Sequence, residues 1–381
     1  METKPLCPYF GKCGGCTSQH IAYALQTENK RQMVVNELTK NEIKFPADIK
    51  LISGKDYFYR NRMDFVFSKN GPALREKGSF RNLVQIRKCV ISNDKINKLL
   101  EEVWHWFNAN KDRLDIFDIR KNVGTLRYSV IRASENYDSS TITFILNDDS
   151  NKIAEHVELI KEFADKTSAS NVAIGRVPAN TDLSTSDDSF EVKGDLKMQE
   201  SVLGHKIVFS SQSFFQNNSK MAEEMVGYTK DLLSKHQTSS STLIDLYGGA
   251  GTFGICLSEM FKKTMIIDNE GLNIECAKEN VKGNDKIEAI ACDAASMRKL
   301  DIKEKYLFMI ADPPRSGMHP KAIANIVNLR PKILIYVSCN PQQMAKELKT
   351  FCKYYDINSV AVFDLFPQTP HTEAIVELKR K

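Results

Sequence analysis

The stretch Thr242-Leu243-Ile244-Asp245-Leu246-Tyr247-Gly248-Gly249-Ala250-Gly251-Thr252-Phe253-Gly254 decides the fold. Its first five residues are an apolar, β-rich run too short for a helix, and they read as a buried strand. Gly249, Gly251 and Gly254 then form a literal G-x-G-x-x-G, the turn that joins a parallel strand to a helix beside an adenosine-containing cofactor. Downstream, strand and helix patterns alternate. Ile266-Ile267-Asp268 ends a second strand, Ala291-Cys292-Asp293 a third, and Leu307 to Ala311 is a fourth that runs into Asp312-Pro313-Pro314-Arg315. This alternation predicts a parallel, doubly wound α/β sheet. Lys332 to Val337 is a further strand, closed by Ser338-Cys339-Asn340-Pro341, and a helix is expected from Gln342 to Tyr355. Cys339 therefore falls at the strand-end edge where open α/β sheets bind ligands.

Two cofactor classes suit the glycine turn. A dinucleotide and S-adenosylmethionine (SAM) both present a ribose to an acid at the end of the second strand, here Asp268. Asp245 and Asp293 favour SAM. A carboxylate inside the first strand can govern an ammonium group, and one closing the third can meet the adenine, whereas a pyrophosphate gains nothing from Asp245. Asp312 and the two prolines make a stiff turn that holds polar groups at the ligand edge. Enzymes methylating exocyclic amines usually carry an aromatic residue after such prolines; Arg315 points to a different target atom. Glu373 immediately precedes a last apolar strand, Ala374 to Leu378, which makes Cys339 and Glu373 a candidate nucleophile and base.

The remainder of the chain agrees with a cytoplasmic enzyme. Its 381 residues allow two or three domains, and 42% hydrophobic and 27% charged residues describe a soluble, globular protein. No apolar run approaches 18 residues, no signal peptide is expected, and the chain is expected to be a monomer away from membranes. A net charge of +5 permits nucleic acid as a partner. Nine cysteines, unevenly spread, favour metal or catalytic use over a disulfide framework. Cys7, Cys13 and Cys16 lie among glycines, and Cys89 is the only other cysteine of the N-terminal half. On spacing, four cysteines suit an iron–sulfur cluster and a structural zinc equally. Residues 17–42 read as an amphipathic helix with Ile21, Leu25, Met33, Val34 and Leu38 as its apolar positions, expected to pack on the catalytic domain. An α+β region follows, with a strand at Tyr57 to Ser68. In it Arg75, Lys77, Arg81, Arg87 and Lys88 face only Glu76, a cationic and aromatic surface suited to RNA. The expected division is 1–205, carrying the cysteines and RNA surface, and 206–381, carrying the cofactor.

These motifs together resemble the SAM-dependent RNA (uracil-5-)-methyltransferase family, over nearly the whole chain from Cys7 to Glu373. Asp-Pro-Pro-Arg, Ser-Cys-Asn-Pro and His-Thr-Glu, in that order, carry the resemblance. It implies a Rossmann-like class I methyltransferase domain behind an α+β domain with an iron–sulfur site. It also implies that Cys339 is the nucleophile and Glu373 the proton acceptor. Gln216, Tyr247, Thr252, Asp268, Asp293 and Asp312 are placed around SAM and the target base. Cys7, Cys13, Cys16 and Cys89 would hold a 4Fe-4S cluster. The implied substrate is a uridine in structured RNA, either the tRNA T-loop or 23S rRNA. Only six residues precede Cys7, so the small RNA-binding β-barrel of many bacterial members is not expected, as in short archaeal-type members. A dinucleotide-dependent oxidoreductase and a non-catalytic RNA-binding protein are the alternatives.

Overall fold

The computed structural model describes residues 2–300, 302–304 and 306–381. The cysteine-rich segment leads into helix α1 (Tyr23–Lys40) and strand β1 (Ile49–Ile52). The next region contains β2 (Arg62–Ser68), β3 (Gly71–Arg75), β4 (Leu83–Gln85), α2 (Asp94–Ala109), β5 (Leu126–Ala133), β6 (Ser140–Asn147), α3 (Ile153–Ala164), β7 (Asn171–Val177) and β8 (Asp188–Lys193). Its seven strands form one sheet in the order β4-β3-β2-β5-β6-β7-β8, antiparallel except for β6 and β7. The α2 and α3 helices cover one face, burying Trp104, Trp106, Phe107 and Phe163 against Phe67 and Phe144. A separate hairpin, β9 (Lys197–Val202) and β10 (His205–Ser210), leads out of this region.

The last part of the chain alternates helix and strand: α4 (Ser219–Leu233), β11 (Thr242–Leu246), α5 (Thr252–Leu257), β12 (Lys263–Asp268), α6 (Gly271–Asn280), β13 (Ile287–Ala291), β14 (Leu307–Ala311), α7 (Pro320–Leu329), β15 (Ile333–Ser338) and α8 (Pro341–Phe351). It closes with β16 (Tyr355–Phe363) and β17 (Glu373–Arg380). The eight-stranded sheet runs β1-β16-β17-β15-β14-β11-β12-β13. Ile333, Ile335 and Val337 point into one buried layer, and Leu334 and Tyr336 into the other. Both faces are covered, which is why these strands are continuously apolar. The sheet is mixed rather than wholly parallel. β17 lies antiparallel between β15 and β16, and β1 adds a parallel edge strand from the N-terminal segment.

Two helical and strand expectations are corrected. Leu25 and Met33 are 43% and 40% exposed, and Ile21 precedes α1. Val34 and Leu38 are buried as expected, and the buried face of α1 continues from them through Lys30 and Gln26, four residues apart. Val34 and Leu38 join the core beside Met344 and Leu348 of α8, each burial being worth about 1.5–3 kcal/mol. Lys30 pairs with the fully buried Asp364 at 2.5 Å. Removing one partner of such a pair costs about 3–5 kcal/mol. The strand expected from Tyr57 begins at Arg62, because Phe58 and Arg60 donate their N–H groups to the carbonyls of Val90 and Ile91 instead. No helix among the described residues is long and apolar enough to cross a membrane.

Candidate active site

In the large sheet, β12 and β13 lie on one side of β11, and β14 and β15 on the other. The crevice at that reversal is where ligands bind in open α/β sheets. Here it is a cavity of about 820 Å³. Gln216, Tyr247, Thr252, Asp268, Asp293 and Asp312 all line it, as do Cys339 and Glu373. The cofactor side is built from strand ends. Asp268, at the end of β12, accepts hydrogen bonds from the Gly249 and Glu270 N–H groups at 2.9 and 2.8 Å. Asp293 caps the turn beyond β13, accepting the Ala295 N–H at 2.8 Å. Tyr247 turns the chain out of β11 with a left-handed φ of 62°, an uncommon conformation for an aromatic residue.

The glycines divide the labour. At Gly254 a Cβ would lie 2.8 Å from Ile266 and 3.0 Å from the Asp245 carboxylate, so this position is needed for packing. Gly249, with φ of 57°, has nothing within 4 Å of where its Cβ would be, leaving its backbone open to a ligand. Asp245 is buried and accepts the Gly254 N–H on Oδ2 at 2.7 Å, while among the described residues Oδ1 has no hydrogen-bond partner. Burial, opposed by that N–H and reinforced by Asp312 and Asp268, pushes its carboxyl up to about 7. An unpartnered carboxylate oxygen beneath an open glycine turn fits the ammonium end of a cationic ligand such as SAM.

The reactive side joins two turns. Asp312 follows β14, and Cys339 follows β15. Asn340 caps α8 by accepting the Gln343 N–H at 3.3 Å and donates to the Arg315 carbonyl at 3.1 Å, tying the turns together. Glu347 of α8 holds them from below, accepting from the Met318 N–H and the Tyr336 hydroxyl at 2.8 and 2.6 Å. Gln216, from the loop after β10, donates to Asp312 at 3.3 Å. Burial pushes Asp312 up to about 7, with Gln216 acting the other way. Glu373 starts β17, is 3% exposed, and is held well above the usual carboxylate range by burial and by Asp312. Burial, then Glu373 and Asp312, push the Cys339 thiol up to about 11, against the pull of Arg315.

The arrangement is a thiol, two carboxyls of raised pKa and a cation at one end of a cofactor-sized cavity. The family model for tRNA (uracil-5-)-methyltransferases matches residues 22–381. The chain belongs to this family. It is 33% identical to an RNA methyltransferase of Caldanaerobacter subterraneus over all of this chain and 86% of that protein. It is 29% identical to the tRNA (uracil(54)-C(5))-methyltransferase of Pyrococcus horikoshii, covering 98% of this chain and 85% of that one. The Pyrococcus abyssi tRNA (uracil-54, C5)-methyltransferase, solved with S-adenosyl-L-homocysteine, superposes with a TM-score of 0.77 at 25% identity, over 96% of this chain and 85% of the other. This family member is a SAM-dependent RNA methyltransferase with a Rossmann-like catalytic fold. The oxidoreductase and non-catalytic alternatives are thereby set aside. The glycine turn alone did not separate them, because both cofactors carry adenosine.

The sequence alone does not single out Phe214, Arg60 or Phe366 of the methyltransferase as parts of the cavity. Phe214 is 64% exposed, while Phe215 stacks on Phe209 with ring centres 4.1 Å apart. Two adjacent phenylalanines in a loop rarely find burial together, and that was the available signal. Arg60, Phe366 and His371 also line the cavity, so the N-terminal sheet region reaches the reaction site through Arg60. Burial, together with Arg315, Lys30 and Arg60, lowers the pKa of His371.

The four N-terminal cysteines do come together. Cys7, Cys13, Cys16 and Cys89 line one small pocket, and the proximity of the Cys89 thiol adds to the burial that raises the pKa of each of the other three. Among the described residues no group of three or more His, Cys, Asp or Glu is closed to metal-ligating geometry. Four converging thiols are a donor set that fits an iron–sulfur cluster. The neighbouring basic surface is thinner than its sequence promised. Arg75 is partly exposed but engaged, paired with Asp182 at 2.7 Å and lying 4.0 Å over the Phe80 ring. Lys77, Arg81, Arg87 and Lys88 remain exposed, with the Arg87 guanidinium 3.6 Å over Trp104.

Proposed function

We propose that this enzyme transfers the methyl group of SAM to carbon-5 of a uridine in tRNA through a covalent Cys339–uracil intermediate. The observation that carries the reading is the convergence of Cys339, Asp312 and Glu373 at one end of the cavity lined by Tyr247, Asp268 and Asp293 at the other. The tRNA (uracil-54, C5)-methyltransferase activity of the two Pyrococcus relatives favours tRNA over 23S rRNA. SAM, when bound, supplies an electrophilic methyl carbon.

The residues perform the rest. Carbon-5 of uracil is a weak nucleophile, and addition of sulfur at carbon-6 makes it enolate-like. A thiol held near 11 is protonated at neutral pH, so its proton leaves as the carbon–sulfur bond forms. Asp312, at about 7, is matched to accept it. Arg315 stabilises the enolate oxygen. After methylation carbon-5 carries both hydrogen and methyl; Glu373 removes the hydrogen, the double bond re-forms, and the thiolate leaves. A stacked uridine cannot reach Cys339, so the base is turned out of its stack, and Phe214 and the exposed cations beside the cysteine loop support an RNA path.

The test is methyl transfer from labelled SAM to tRNA and 23S rRNA transcripts, with modified positions mapped. We expect 5-methyluridine in tRNA. Product confined to 23S rRNA would replace the tRNA assignment, and label on any atom other than carbon-5 would overturn the reading.

Cys7, Cys13, Cys16 and Cys89 are proposed to hold a 4Fe-4S cluster. When bound, the cluster cross-links the N-terminal loop to the segment around Cys89, a structural contribution to folding. Protein purified without oxygen is expected to be brown, with about four iron and about four sulfide per chain. A Ser substitution at any of the four should bleach the colour and lower the unfolding temperature. Stoichiometric zinc without iron would refute the cluster.

A further inference from the structure

The segment Asp364–Thr372, between β16 and β17, contains neither helix nor strand and ends at Glu373. Glu373 is the first residue of β17, paired with Phe363, so the loop sets where that strand begins, and a displacement of about 1 Å at a reacting group can cost about 100-fold in rate. The loop is braced by the N-terminal segment. Lys30 donates to Asp364 at 2.5 Å and to the Phe366 carbonyl at 2.9 Å. Tyr59 donates to the Pro367 carbonyl at 2.9 Å. Gln26 and Gln368 exchange two hydrogen bonds: Gln26 Nε2 to Gln368 Oε1 at 2.9 Å, and the Gln368 N–H to Gln26 Oε1 at 3.2 Å.

The same amide reaches the cysteine loop. Gln26 Nε2 also donates to the carbonyls of Ser18 and Ile21 at 3.0 and 2.8 Å. Thr17 and Ser18, directly after Cys16, donate their N–H groups to the Gln368 carbonyl at 3.0 and 3.1 Å. Gln368 itself is 2% exposed and sits at a left-handed φ of 66°, a conformation the surroundings impose. These polar side chains occupy the buried face of a helix, where leucine would pack more simply. They are explained if their task is to fix a backbone.

We propose that Gln26 and Lys30 are positioning residues for the proton-removal step, and that the cysteine loop secures the same brace through Thr17 and Ser18. The inference rests on the reading of Glu373 as the base. SAM is held by other elements, the ends of β11, β12 and β13, so a loosened brace leaves donor binding intact and slows elimination.

The test uses the full-length protein purified without oxygen, carrying Gln26→Met, which keeps length and removes every hydrogen bond of the amide. Amide exchange over 364–372 should quicken by about tenfold or more, and SAM affinity should stay within a factor of about two. With substrate RNA and labelled SAM, turnover should fall while a methylated, denaturation-resistant protein–RNA adduct builds up. Gln368→Asn is the second variant: asparagine tolerates the left-handed backbone but is one methylene too short to meet Gln26. Cys16→Ser should quicken exchange over the same nine residues if the cysteine loop is part of the brace. Unchanged exchange in Gln26→Met and Gln368→Asn overturns the proposal, as does a loss of turnover shared equally by adduct formation. Should Glu373→Gln trap no adduct, the base assignment fails on its own account, and the exchange measurement alone decides whether the brace exists.

Discussion

In Cys339→Ala, methyl transfer to RNA is expected to fall by about 10⁴-fold or more, and every covalent RNA adduct to disappear, with SAM binding unchanged. The residue lies at the reactive end of the cavity, and no other cysteine lining it sits near Asp312 and Glu373: Cys292 lies beyond β13. RNA carrying 5-fluorouridine should have the opposite effect on the unsubstituted enzyme. Fluorine cannot leave as a cation, so methylation proceeds, elimination stalls, and a denaturation-resistant complex accumulates. The pH dependence follows from the raised pKa values. Asp312, pushed up to about 7, is protonated below that pH and cannot accept the thiol proton. Trapping by 5-fluorouridine RNA should therefore slow as pH falls from 8 to 6. A rate that is flat over this range would remove Asp312 from the role.

Glu373→Gln should lower turnover by about 10²–10⁴-fold without preventing attack or methylation. The glutamine amide cannot accept the proton from carbon-5, so ordinary RNA should stay attached to Cys339 and carry the labelled methyl group, seen on a denaturing gel and by mass. The substitution is nearly isosteric, and it removes a carboxyl whose charge is disfavoured by burial and by Asp312. The variant is therefore expected to be at least as stable as the parent near pH 8. The sign follows from the raised pKa: stability from the protonated form is fully present below the unfolded value and is lost as pH rises. Parent-level turnover with no trapped intermediate would show that Glu373 is not the base, and Asp312 would be tested next.

The parts of this site legible in the sequence are those specified locally. Leu307 to Ala311 and Ile333 to Ser338 announce buried strands by their apolar runs, and Pro313, Pro314 and Pro341 mark the turns after them. The glycine turn was equally clear because its backbone needs particular residues. In α1 the sequence pattern identifies Val34 and Leu38 but not the polar half of the buried face, because Lys30 and, in part, Gln26 are satisfied by groups more than 300 residues away. No periodicity can report a partner so distant. Arg75 illustrates a similar limit, since a cation that pairs with Asp182 looks in sequence like one reserved for phosphate. Gln216 sits in a loop without a pattern of its own; the Asn61 amide donates to its carbonyl at 2.9 Å, and only family resemblance singled it out.

The edge strand β1 pairs with β16, joining Ile49–Ile52 to Val360–Phe363. On the ribosome, at roughly 5–20 residues per second, the first of these is made on the order of tens of seconds before the second exists. Until then β1 lacks its strand partner and Lys30 of α1 lacks Asp364. The N-terminal sheet can assemble from neighbouring hairpins in the meantime, but the catalytic sheet is sealed only by the final strands. A chain cut short near its C-terminus would thus lose more than Glu373. It would also leave its own first helix and strand undocked, exposing a bare sheet edge and a half-polar helix to proteases and to other nascent chains.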